Sequence, residues 1–289
     1  MSITYFRTGY CCFVLLSGYN IRPSEKDYWN ETEDLKAECV QQLMPKNRYM
    51  KLKSVVHFVD NKTASQHSND PAFKIRPILD GLNAKFGIFV SALSIDAIIV
   101  RYYEHHGLKQ FIHGKPIWFG YKYWAVCGNN GYCFSFQLYC GKETSQGCQN
   151  LPLGTRVVLS LLDVIPPSDR PSNTVYFYNF FTSYNLLGHL SKMSIRATGT
   201  VRQNRTGHCP LIPVCTMAKG KRGSFDHCCD QAHNILMVRW YDNSVVTMTT
   251  NCDTVQPTQF SRWCLAKGGA GKTTVELMCI NLVLSQTTT

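Results

Sequence analysis

Between Ile88 and Val201 the chain reads strand, hairpin, helix, strand, helix, strand, an order that few architectures accept. Ile88 to Val100 (IFVSALSIDAIIV) is a β-branched run with one acid, Asp96, inside it. Ile117 to Val126 and Gly131 to Tyr139 read as aromatic-rich strands. Cys127-Gly128-Asn129-Asn130-Gly131 joins them with residues that tolerate positive φ, so they form a hairpin. Leu153 to Ile165 reads as a helix stopped by Pro166-Pro167, Thr174 to Phe181 as a strand, Asn185 to Met193 as a helix and Ile195 to Val201 as a strand. This order predicts an α+β domain in which helices flank a mixed sheet.

The flanks differ in texture. Residues 1–86 read as helical: acids in Asn30-Glu31-Thr32-Glu33-Asp34 suit the positive end of a helix dipole. Met44-Pro45-Lys46 opens a second helix striped by Tyr49, Leu52, Val56 and Phe58, and Phe73 to Phe86 forms a third, beyond a polar loop from Asp60 to Asp70. Residues 203–260 read as a β-rich insertion, with Ile235 to Trp240 and Ser244 to Thr250 paired about Tyr241-Asp242-Asn243. Residues 261–289 read as a closing segment with a helix over Thr273 to Leu284.

Charge narrows the partners. The net charge of +11 favours a polyanion, either a phosphate backbone or anionic lipid. The apolar run Cys11 to Leu16 is far too short to span a bilayer, so no membrane is expected. Fourteen cysteines are scattered with no Cys-x-x-Cys spacing, which reads as reduced thiols in a nuclear or cytosolic protein; His227-Cys228-Cys229 reads as chance adjacency. Arg202, Arg205, Lys219, Lys221 and Arg222 cluster along the sequence. Trp118, Tyr121 and Tyr123 interleave with Lys115 and Lys122, a pattern suited to phosphate contacts and base stacking.

Several motifs in fixed order carry a resemblance. They begin with Leu15-Leu16-Ser17-Gly18-Tyr19-Asn20, Pro23 to Trp29, and Met44 to Asn61 (MPKNRYMKLKSVVHFVDN). Leu93-Ser94-Ile95-Asp96, Phe119 to Trp124, Val175 to Ser183 (VYFYNFFTS) and Ala197 to Arg202 follow. Lys221 to Asp226 and Val238 to Asn243 complete the series. From about Leu15 to Asp253 the chain resembles the piggyBac transposase domain. The resemblance implies a ribonuclease-H-like fold in which three aspartates hold two divalent cations, magnesium or manganese, for phosphodiester hydrolysis. It places the first aspartate on Asp96. The second falls in the run Tyr176-Phe177-Tyr178-Asn179, where Tyr178 stands in the acid's place, and a neutral phenol is a poor magnesium ligand. The third falls on Gly271 in Gly268-Gly269-Ala270-Gly271, with Glu276 as a displaced candidate.

A degenerate transposase domain is therefore expected, with Asp96 a relic ligand and no resident cofactor, and with Lys115, Lys122, Arg202, Arg205, Lys219, Lys221 and Arg222 as DNA contacts in a nuclear protein. The resemblance implies a dimerisation segment before this region and a zinc domain after it that reads transposon ends. The chain is read as beginning inside the first and ending before the second, so DNA binding is expected to be weak and non-specific. A second copy of the chain or host chromatin proteins are the other partners considered. Two rivals remain open: a working metal-dependent transposase or nuclease with substitute acids, and a nucleotide-binding protein using Lys267-Gly268-Gly269-Ala270-Gly271-Lys272-Thr273 as a phosphate loop. A strand leading into Lys267 would favour the latter.

Overall fold

The computed structural model describes residues 3–33, 36–63, 70–86, 92–141, 151–255, 259–265 and 273–279. The chain divides into two units, Met1–Ser68 with Phe73–Pro77, and Asn69–Ala72 with Ile78–Thr289.

The first unit is helical, as expected. Helices α1 (Ile3–Tyr19), α2 (Glu38–Leu43) and α3 (Lys46–Val55) surround a small aromatic core of Phe13, Tyr28, Val40, Met44 and Tyr49. Pro45 caps α3, where its missing N–H costs nothing. Ser24 and Asp27 form a capping box on the 3₁₀ turn Glu25–Trp29. No helix among the described residues is long and apolar enough to cross a membrane.

The second unit is built on a nine-stranded mixed sheet. Its strands are β1 (Ala92–Arg101), β2 (Gln110–Phe111), β3 (Phe119–Gly128), β4 (Cys133–Leu138), β5 (Thr174–Phe177), β6 (Arg196–Thr200), β7 (Phe225–Asp230), β8 (Ile235–Tyr241) and β9 (Val245–Thr250). The order across the sheet is β2-β3-β1-β5-β6-β9-β8-β7, with β4 also on β3. β1, β5 and β6 are parallel, and the other pairings are antiparallel. The expected β3–β4 hairpin is present: Gly131 sits at φ 80° in its turn, where a side chain would be strained.

The further helices are α4 (Arg76–Asn83), α5 (Leu153–Leu162), α6 (Tyr184–Lys192) and the single turn α7 (Val214–Met217). The buried sides of α5 and α6 pack on one face of the sheet. Val158, Leu161, Leu162, Leu186, Leu187 and Leu190 are fully sequestered there with Leu93, Ile95, Val126 and Val175. Truncating one such leucine to alanine costs about 2–5 kcal/mol. A smaller cluster of Ala72, Leu108 and Leu138 also lies in this unit, with Tyr121 and Tyr123 packed against it.

The later strands join this sheet, and one of the closing elements departs from expectation. The β-rich stretch of residues 203–260 supplies β7, β8 and β9, and β9 pairs with β6, so that the sheet continues through β8 to β7. Of the helix expected over Thr273–Leu284, Thr273–Cys279 is instead a strand, β11, antiparallel to β10 (Gln259–Leu265), and residues 280–284 lie outside the described residues. Thr273, Thr274 and Val275 are β-branched, and a short apolar run does not distinguish strand from buried helix by period alone.

Candidate nucleic-acid interface

Asp96 lies on β1 in the half of the sheet where three strands run parallel. Alternation puts it on the face with Ser94 and Ile98, opposite the core positions Leu93 and Ile95. That face is open: the Asp96 side chain is 43% exposed. The burial cost that a lone acid in an apolar strand suggests is therefore not incurred. Its carboxylate accepts from the Ala97 N–H at 2.7 Å and has the Lys115 ammonium at 3.8 Å.

β1 and β5 pair Ser94 with Tyr176 and Ile95 with Phe177; Asp96 is the next residue of β1, and Tyr178 the first residue beyond the end of β5. Tyr178 is exposed and opens a turn, its carbonyl accepting from the N–H groups of Phe181 at 3.0 Å and Thr182 at 3.3 Å. The Thr182 hydroxyl donates to the same carbonyl at 2.9 Å. Gly199 on β6 lets this turn approach: a Cβ there would meet the Phe177 carbonyl at 2.6 Å and the Thr182 hydroxyl at 2.7 Å.

The basic residues that the sequence scatters are gathered by topology. Lys115 lies in the connection before β3, and Lys122 lies in the first half of β3, whose start pairs with the end of β1. Arg202 and Arg205 follow β6. Thr200 pairs with Met248 on β9, Val245 with Tyr241 on β8, and Trp240 with Phe225 on β7. Lys219, Lys221 and Arg222 precede β7. All seven therefore stand along one edge of the sheet, the carboxyl edge of its parallel strands, where ligands of open α/β sheets bind.

They are not equally available. Lys219 and Lys221 are exposed. Arg222 is ion-paired to Asp242. Arg202 donates to the Asn179 side chain at 3.3 Å, and Arg205 to the Phe180 carbonyl, so both brace the turn after β5. Lys122 is half-buried with its ammonium 3.7 Å from the Trp124 ring centre; burial lowers its pKa, with the Lys115 charge acting the same way and Asp96 opposing. Of the interleaved aromatics, only Trp118 is exposed. Tyr121 is packed, and burial pushes its hydroxyl up to about 12.

The remaining candidates do not join this edge as described. Gly271 lies outside the described residues, as do Lys267 to Lys272. Glu276 is on β11 opposite Arg262. A strand does lead toward Lys267, contrary to expectation, but Thr273 opens another strand where a phosphate loop requires a helix. His227, Cys228 and Cys229 are consecutive on β7 and alternate between faces, so the three cannot converge on one ion.

Among the described residues the donors do not fit the divalent pair implied by the resemblance. Asp96 has a lysine for its ion partner, and Tyr178, the residue after β5, offers a phenol. Another carboxylate near the central strands, Asp253, is held by the hydroxyls of Thr198 at 2.7 Å and Thr250 at 3.1 Å. Among the described residues no three His, Cys, Asp or Glu side chains form a metal cluster.

Arg239 was not singled out by the sequence. It is fully buried on β8, donating to Thr247 at 3.0 Å, to the Ile212 carbonyl at 2.5 Å and to Gln203. It is a core strut for the β6–β7 connection and takes no part in a surface.

A mixed sheet with three parallel strands at its centre and helices against it is the frame of a ribonuclease-H-like transposase domain. The family model for transposase IS4 matches residues 8–273. Human piggyBac transposable element-derived protein 3 is 36% identical over 252 residues, covering 85% of this chain and 42% of its own. Human piggyBac transposable element-derived protein 2 is 30% identical over 273 residues, 93% of this chain and 45% of its own. A piggyBac transposase seen by cryo-electron microscopy in a synaptic complex with hairpin DNA superposes with a TM-score of 0.68 at 21% identity, over 87% of this chain and 52% of that one. The chain belongs to the transposase IS4 family, as a piggyBac-type transposase domain, and spans less than half the length of these two human relatives.

Proposed function

We propose that this domain binds duplex DNA without cutting it, a transposase relic that keeps the fold and the charge but not the hydrolytic centre. One observation carries the reading. The sheet edge where a cutting domain needs clustered carboxylates has seven cationic side chains along it, with the Asp96 carboxylate beside Lys115 and the Asp242 carboxylate taken up by Arg222. Hydrolysis by two metals needs several hard oxygen ligands close together, which this edge does not supply. Lysines and arginines along it suit phosphates.

The dimensions agree with a duplex. From β3 to β7 the edge crosses six strand spacings of about 4.8 Å, or about 29 Å, close to the ~34 Å of one DNA turn. The similar piggyBac transposase is in complex with hairpin DNA, which supports DNA over lipid as the polyanion. With chromosomal DNA as the partner, the reading places the work of the domain in the nucleus as part of the same proposal. Phosphate contacts position a protein without reading bases, so little sequence preference is expected. Titration of an arbitrary duplex at several salt concentrations tests the reading. The expected slope of log affinity against log salt is about −4 to −5, for four to six phosphates met. A flat dependence would remove nucleic acid as the partner.

A further inference from the structure

Where β2 and β3 meet, aromatic rings stand exposed at one corner of the sheet. Tyr103 is 73% exposed, Phe111 57%, Trp118 56% and Phe119 41%. Elsewhere in this unit large aromatics such as Trp124, Phe134, Phe177 and Phe181 are buried. The corner rings form a set: Phe111 lies 5.0 Å from Phe119 and 6.5 Å from Trp118, edge-on to the latter. Tyr103, Pro116, Ile117, Trp118 and Phe119 line a hollow of about 230 Å³ with Arg101 at its rim. The Lys109 ammonium sits 5.4 Å from the Phe119 ring centre and donates to the Tyr103 carbonyl at 3.2 Å.

Exposed rings gathered in one place mark a contact surface. Cations around them select a partner that is both flat and anionic. A hydrophobic protein segment would gain nothing from Arg101 and Lys109, whereas a nucleotide offers a π-face to the rings and a phosphate to the cations. Bases in a duplex are stacked on one another and cannot offer that face.

We infer that the Tyr103–Phe111–Trp118–Phe119 corner is a stacking platform for unpaired bases of single-stranded DNA. The inference rests on the duplex-DNA reading for the choice of nucleic acid and extends it. The platform adjoins the basic edge at the start of β3, so a duplex lying on the edge would deliver a frayed or unpaired end to it.

Binding of an oligothymidylate of about ten nucleotides to the full chain, followed by tryptophan fluorescence, tests it, with a blunt duplex and an oligouridylate of equal length alongside. Trp118→Ala is expected to weaken oligothymidylate binding by about tenfold and to remove most of the quenching, leaving duplex affinity unchanged. Trp118→Tyr, which keeps a ring, should retain most of the affinity. Unchanged oligothymidylate affinity in Trp118→Ala overturns the platform. So does duplex binding with no oligothymidylate binding, or tighter binding of oligouridylate, which would make RNA the ligand. Loss of duplex binding with oligothymidylate binding intact overturns the duplex-edge reading and leaves the platform standing.

Discussion

Asp96 on β1 and Tyr178, the first residue beyond β5, each follow the last register pair of the two parallel strands, Ile95–Phe177, by one residue. On the proposed reading, the residue at position 178 decides whether Asp96 has a second hard oxygen ligand to share a cation with. A phenol there offers one weak neutral oxygen, and Asp96 is left to the Lys115 ammonium at 3.8 Å.

Salt dependence should separate the basic residues by their existing partners. Lys219 and Lys221 are exposed, so replacing both by alanine should flatten the slope of log affinity against log salt by up to about two. Arg222→Ala should add little, because its guanidinium is already held by Asp242. Fluorescence anisotropy with one duplex over a range of salt gives each slope. A larger change for Arg222→Ala than for the lysine pair would contradict this assignment.

Gly199→Ala should destabilise the protein by about 1–3 kcal/mol, the usual cost of overpacking. Its Cβ would fall 2.6 Å from the Phe177 carbonyl and 2.7 Å from the Thr182 hydroxyl, pushing the Tyr178 turn off β6. Urea denaturation measures the loss. Gly188→Ala on α6, where a Cβ meets nothing within 4 Å, is the control and should be neutral or slightly stabilising.

Acid should expose the cluster of Tyr184, Asp230 and His233. Asp230 accepts from the Tyr184 hydroxyl and lies 2.8 Å from His233 Nδ1. These contacts, the tyrosine's first, hold its pKa down at about 2. A carboxylate whose folded pKa is depressed adds stability above its unfolded pKa, near 3.9, and that stability is lost as pH falls through about 2. Tyr184→Phe should therefore be less stable than the parent near neutrality, with the gap narrowing between about pH 4 and 2. Thermal midpoints over that range check it; a gap independent of pH would refute the assignment.

The sheet's central elements were legible because each carries its own period. The strand around Asp96, the Asn129-Asn130-Gly131 hairpin and the helices beginning near Leu153 and Asn185 need only local information. β7 was not legible: Phe225–Asp230 carries two aspartates and a histidine and is a strand only because β8 supplies a partner. The C-terminal strand misled for the opposite reason, since its apolar run fits either period. The shared edge of Lys115, Arg202 and Lys219 could not be read at all. It depends on a sheet order in which β9 and β8 intervene between β6 and β7, which is set by pairing between distant segments. Likewise nothing local marks Arg239 as buried and Lys221 as exposed.

The most direct test of the central claim is a cleavage assay on a hairpin-ended duplex with manganese, comparing this chain with its Asp96→Ala and Tyr178→Asp variants. The account predicts no metal-dependent product from the unaltered chain or from Asp96→Ala. It also predicts none from Tyr178→Asp, since restoring one acid gives two ligands where the chemistry needs a larger set. Manganese-dependent cleavage by the unaltered chain that disappears in Asp96→Ala would contradict it, and would mean that other carboxylates complete a working centre.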